Sequence, residues 1–148
     1  MTLPYEGATS GDKALADIQK ILQKFGCQQF GSMVDNEAKE IRIFFKYRNR
    51  QINMPASMSG YAAAWLKEHP FNKNYRYDRI DHERRAMAIA SVAVYSMLRD
   101  WIKGQVTAVE VGLLSFEGAF LGQILLPSGM TVLEQVQQGG MIKLEDKS

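Results

Sequence analysis

At 148 residues, with 46% hydrophobic and 23% charged side chains, the chain has the size and balance of one globular domain, which excludes a disordered or coiled-coil composition. Its single cysteine, Cys27, rules out an internal disulfide and a cysteine-based zinc site, and fits a reducing, cytoplasmic setting. The formal charge of +2 conceals an asymmetry, because residues 41–103 carry a net +7 between flanks of −2 and −3, so any attraction for phosphates or an acidic surface belongs to the middle of the chain.

The opening M-T-L-P-Y-E-G-A-T-S has no basic start followed by an apolar run and does not read as a secretory signal. A first helix is predicted over residues 12–25, where Leu15, Ile18, Leu22 and Phe25 form one stripe and Gly26 supplies the C-terminal stop. C-Q-Q-F-G-S-M-V reads as a strand and D-N-E-A-K-E as the turn or loop after it. The clearest strand is I-R-I-F-F-K-Y-R. Ile41, Ile43, Phe45 and Tyr47 alternate with Arg42, Phe44, Lys46 and Arg48, so one face is core and the other basic.

A tight hairpin around Asn49 and Arg50 leads into Q-I-N-M, with Ile52 and Met54 inward and Pro55 ending the pairing. The outward face then presents Arg42, Lys46, Arg48, Gln51 and Asn53 around Phe44. Cations interleaved with an aromatic suit single-stranded nucleic acid or a nucleotide, since phosphates are neutralised while a base stacks. The same residues also guard an exposed strand against aggregation, and Phe44 is equally suited to lie beneath a helix.

A second helix, S-G-Y-A-A-A-W-L-K-E, is capped by Ser57 or Ser59, with Tyr61, Trp65 and Leu66 on its buried face, and ends before Pro70. The irregular stretch H-P-F-N-K-N-Y-R-Y carries three aromatics into a third helix over residues 79–111, capped by Asp78 with Asp81 in its first turn. Arginine is mildly unfavourable at such an end. Its offset is either local, through Arg79 with Glu83 and buried stems of Arg84 and Arg85, or an anion held by Arg76 and Arg79 with Tyr75 or Tyr77 stacked on a planar group. Met87, Val94, Leu98, Trp101, Ile102 and Val109 are the expected main stripe. Residues 86–98 are apolar or small on every face, too few to span a bilayer; the helix must be central or buried against a second copy, with Ala86, Ala90 and Ala93 allowing close approach. After an apolar, turn-rich stretch, T-V-L-E at 131–134 matches a capping box, and residues 139–148 read as a loose tail.

No metal-ligand spacing, phosphate loop or nucleophile elbow occurs, so no catalytic residue, metal or cofactor is assigned. His69 reads as a helix end and Cys27 as a small core residue, while D-H-E at 81–83 places its polar groups on diverging faces. A small hydrolase is left as a third reading, because catalytic carboxylates need no motif. The order helix, three strands, helix over residues 12–68 is similar to a double-stranded-RNA-binding domain, but S-M-S-G-Y-A-A-A-W lacks any cation before Lys67, which argues against that family.

The series F-F-K-Y-R-N-R-Q-I-N-M-P-A-S, G-Y-A-A-A-W-L-K-E-H-P, L-R-D-W-I-K-G-Q-V-T-A-V-E-V-G, S-F-E-G-A-F-L and L-P-S-G-M-T-V resembles small proteins of temperate phages and prophages, over roughly residues 12–136. That resemblance implies a context without a defined activity: proteins of this size in phages commonly assist nucleic-acid metabolism or inhibit host defence by binding. The expectation is therefore one α+β domain, with a small antiparallel sheet of about three strands beside three to four helices. Residues 12–68 form a helix-sheet-helix portion and 79–138 a mainly helical one. Its expected partner in the host cytoplasm is nucleic acid or a nucleotide, held by Arg42, Phe44, Lys46, Arg48, Tyr75, Arg76, Tyr77 and Arg79, or alternatively a host defence protein. No membrane is involved, and a homo-oligomer through residues 86–98 is considered.

Overall fold

The computed structural model describes residues 3–140, so the expected tail from 141 onward lies outside the described residues. Helix α1 (Gly11–Phe25) begins at Ser10, whose hydroxyl accepts from the Lys13 amide, and stops at Gly26, whose φ of 106° is a left-handed cap. Three strands follow, β1 (Gln29–Asp35), β2 (Glu40–Tyr47) and β3 (Arg50–Ser57), in the antiparallel order β1-β2-β3. Helices α2 (Met58–Glu68), α3 (Arg79–Glu110), α4 (Phe116–Phe120) and α5 (Val132–Gln138) complete an α+β fold. Beyond the expected helices, α4 is new: it starts at a Ser115 cap, and five residues are too short to display a periodic stripe.

Alternation along β2 places Ile41, Ile43 and Phe45 in the core with Ile52 and Met54 of β3, against Ile18 and Leu22 of α1 and Trp65 of α2. Pairing does not end at Pro55. Arg42 lies opposite Pro55 and Glu40 opposite Ser57, because β3 is an edge strand and tolerates a residue without an N–H. Beyond β3, Ile124 makes an isolated bridge to Ile52. Ser57 is the cap of α2, which buries Met58, Ala62 and Trp65, with Tyr61 and Leu66 only half-buried.

The 32 residues of α3 span about 48 Å at 1.5 Å per residue. Its buried stripe matches the expected series only in part: Val94 and Ile102 are buried, but Ala86 and Ala90 are wholly buried too, while Met87, Leu98 and Val109 are half-buried and Trp101 is 41% exposed. Both α1 and α2 pack against this helix, so the small side chains admit two neighbours of the same chain. That in-chain use removes the need for a second copy to cover them. No helix among the described residues is long and apolar enough to cross a membrane. At the start of α3, the Asp78 carboxylate accepts from the Asp81 amide at 2.8 Å. Asp78→Ala should cost about 1 kcal/mol through loss of this cap, read as a lower midpoint in urea unfolding.

Candidate functional site

Two regions carry the residues singled out from the sequence, and the fold holds them apart. Arg42, Phe44 and Lys46 lie on the sheet face opposite the Ile41, Ile43 and Phe45 core face, with α5 near Arg42 at one end, while Tyr75, Arg76, Tyr77 and Arg79 belong to the α2–α3 connection and the start of α3 on the core side.

On the sheet, β2 and β3 are joined by Arg48 and Asn49 at φ 45° and 66°, the two left-handed positions of a type I′ turn between paired Tyr47 and Arg50. Arg48 is therefore a turn residue and not part of the strand face. Its guanidinium lies 5.2 Å over Tyr47, which stacks on Phe25 at 4.3 Å. Arg42 is also less free than its letter suggests: its Nε donates to Glu40 at 2.8 Å. The Arg42 charge in turn helps hold the Glu134 carboxyl below its usual range, behind the larger effect of the Thr131 backbone and hydroxyl in the α5 capping box. Lys46 differs, standing between Gln29 and Gln51 with no ion pair among the described residues.

Phe44 sits between Gly31 and Asn53 in the register, on the floor of an open hollow of about 320 Å³ that Lys46, Gln29 and Gln51 also line. A side chain at Gly31 would meet nothing within 4 Å, so the space beside the ring is free. A second hollow, about 440 Å³, shares Lys46 and Gln51 and continues to Asn49 and Arg50 at the turn. A third, about 290 Å³, shares Asn53 and turns round the β3 edge to Trp101 and Leu133. The result is a trough that is cationic at the turn and apolar at the far edge.

The start of α3 is organised around His82, to which the sequence assigns no role. The ring is 2% exposed; its Nε2 donates to the His69 carbonyl at 2.6 Å, which leaves Nδ1 to accept from the Tyr77 hydroxyl at 3.0 Å in the neutral imidazole. Trp65, Phe71, Tyr75 and Tyr77 surround it at centroid distances of 5.1 to 5.7 Å. Tyr75 stacks on Tyr77 at 5.2 Å and 12°. Arg79 lies 5.1 Å over Phe71 and Arg85 5.2 Å over Tyr77, while Arg84 reaches Asp81 at 3.7 Å. The local offset for cations at this helix end is thus mainly aromatic, in place of the expected Arg79 and Glu83 pair. Arg76 alone of these arginines has neither an aromatic nor an acidic neighbour of this kind among the described residues, and Tyr75 stays 41% exposed. A buried histidine among four rings leaves no periodic mark, so only long-range packing discloses it.

Elsewhere, Tyr5 donates to Asp100 at 2.6 Å and, with Arg99, holds that carboxyl below its usual range. Burial pushes the Cys27 thiol up to about 11, which leaves it a poor nucleophile at neutral pH. Among the described residues no three His, Cys, Asp or Glu side chains stand close enough to share a metal ion. Comparison with protein-family models, curated proteins and solved structures finds no match to this chain.

Proposed function

We propose that this is a phage-type binding protein that holds a polyanion, nucleic acid or a phosphate-bearing nucleotide, on the outer face of its sheet, in phage nucleic-acid metabolism or counter-defence inside the host cytoplasm. The observation that carries this reading is the pairing of Phe44 with Lys46 on one open floor, beside a glycine that leaves room for a planar group. The ring offers a stacking surface and the ammonium a phosphate contact, which is the combination single-strand binders use. Of the eight residues named from the sequence, Phe44 and Lys46 are central. Arg48 contributes charge from the turn, Arg42 is largely neutralised by Glu40, and the Tyr75 to Arg79 corner offers Arg76 and one face of Tyr75.

Lys46→Ala should weaken binding of a single-stranded oligonucleotide severalfold and lower the slope of log affinity against log salt by about 0.7, the release expected for one phosphate contact. Its unfolding midpoint should match the parent. A folded Lys46→Ala protein with unchanged affinity and slope removes the sheet face from the site.

A second reading, inhibition of a host defence complex by protein contact, draws on the apolar residues after α3: Val111 and Leu113 are 71% and 74% exposed. Affinity capture from host lysate with and without nuclease separates the two. Partners lost after nuclease support the polyanion, and a stoichiometric protein retained after nuclease supports the inhibitor.

A further inference from the structure

Asn53, which lines the hollow over Phe44, carries a polar atom that the fold itself does not use. Asn53 stands opposite Phe44 on β3, and its side-chain Oδ1 is buried yet accepts no hydrogen bond from the described residues. Buried acceptors without donors are a cost to folding and are uncommon, so each needs a reason. If the amide is turned end for end, the same position holds an unmet donor, and the mismatch persists.

Phe44 is unmatched in a parallel sense. The core rings of Phe25, Tyr47, Phe116 and Phe120 contact one another, while Phe44 has no ring partner among the described residues. An aromatic plane without a partner and an amide edge without a partner therefore stand side by side, over open space at Gly31. Charge is distributed unequally around them. Lys46 and Arg50 line the adjoining hollow toward the turn, whereas Arg42 in the other direction is already bonded to Glu40. Arg50 itself, among the described residues, is held by Glu117 at 3.5 Å with both side chains about half exposed.

A planar heterocycle with hydrogen-bonding edges, attached to an anionic backbone that leaves toward one side, meets all of these conditions. We propose that the hollow takes a single unpaired nucleobase of a single strand, its ring against Phe44 and its edge hydrogen-bonded to the Asn53 amide, with the adjoining phosphates running past Lys46 and Arg50. A base within a duplex cannot do this, because its faces are stacked and its pairing edge is occupied. This inference rests on the polyanion reading above and adds to it that the base is read, and not only the charge.

The test uses the whole chain with four probes: a mixed-sequence single-stranded oligonucleotide, the same strand with abasic positions, its duplex, and a mononucleotide. Asn53→Leu replaces the unmet amide by an apolar group of similar size. It should melt at or above the parent temperature, bind the intact strand about tenfold more weakly, which is one good hydrogen bond, and bind the abasic strand as the parent does. Phe44→Leu provides the second variant, expected to lose the difference between intact and abasic strands while keeping the salt dependence. A stable Asn53→Leu protein with unchanged affinity, an abasic strand bound as tightly as the intact one, or duplex or mononucleotide bound as tightly as the strand overturns the inference and leaves the polyanion reading standing. Failure of the parent protein to bind any probe overturns both.

Discussion

His82→Ala is expected to lower stability by about 3 to 5 kcal/mol, the largest loss from any change at the entrance of α3. The ring is buried and holds two segments that are distant in sequence: it donates to the His69 carbonyl at the end of α2 and accepts from Tyr77 before α3. Truncation leaves a cavity lined by Trp65, Phe71, Tyr75 and Tyr77, and two polar groups without their partner. Arg76→Ala on the same segment removes an exposed side chain and should change stability by no more than about 0.5 kcal/mol. Urea unfolding of the two variants beside the parent decides the matter. If His82→Ala unfolds at the parent midpoint, the histidine is not the organising residue of this corner.

What the sequence discloses, and what it hides, follows from the range of each interaction. The caps at Gly26, Asp78 and Thr131 are legible because donor and acceptor lie within a few residues, and the structure uses all three. The inner face of β2 is legible because alternation is a local signal of a half-buried strand. Arg48 misleads for the same reason: the alternation of letters continues one position past the last paired residue, and a type I′ turn takes over there even though arginine gains nothing from a positive φ. Neutralisation of Arg42 lies two residues away, at Glu40, which reads from sequence as the end of the preceding turn and proves to be the first residue of β2, on the same face. His82 is hidden more deeply, since its partners come from α2, the connecting loop and the segment before its own helix.

The candidate site divides along the same line. Alternation alone puts Phe44, Lys46, Gln51 and Asn53 on one face, yet Gly31 across from Phe44 emerges only with the register, and the unmet Asn53 Oδ1 only with the packing. A glycine in β1 is an ordinary strand letter until it stands opposite that aromatic. Tyr75, Tyr77 and Arg79, by contrast, stand out by composition, and their rings and guanidinium contact one another, Phe71 and His82. Clustering of aromatics and arginines in sequence therefore carries two different meanings in this chain, an open floor on the sheet and a closed staple at the helix.

Ala90→Glu is expected to prevent folding, or to cost more than about 4 kcal/mol where a folded fraction survives, and to do so without releasing a smaller folded species. Ala90 has no exposed surface within a single chain, on a helix flanked by α1 and α2, so a glutamate there must both overpack the contact and bury a carboxylate. Two positions earlier, Ala88 faces solvent on the same helix, and Ala88→Glu should fold and melt close to the parent, since glutamate is a good helix former. The pair separates the two roles that residues 86–98 suggest from sequence. A core role makes Ala90→Glu unfold at every concentration while Ala88→Glu is silent. An interface role requires Ala90→Glu to stay folded and elute as a smaller particle than the parent. Circular dichroism with size-exclusion chromatography and light scattering distinguishes them, and a folded, smaller Ala90→Glu protein would show that the alanines face another copy and not α1 and α2.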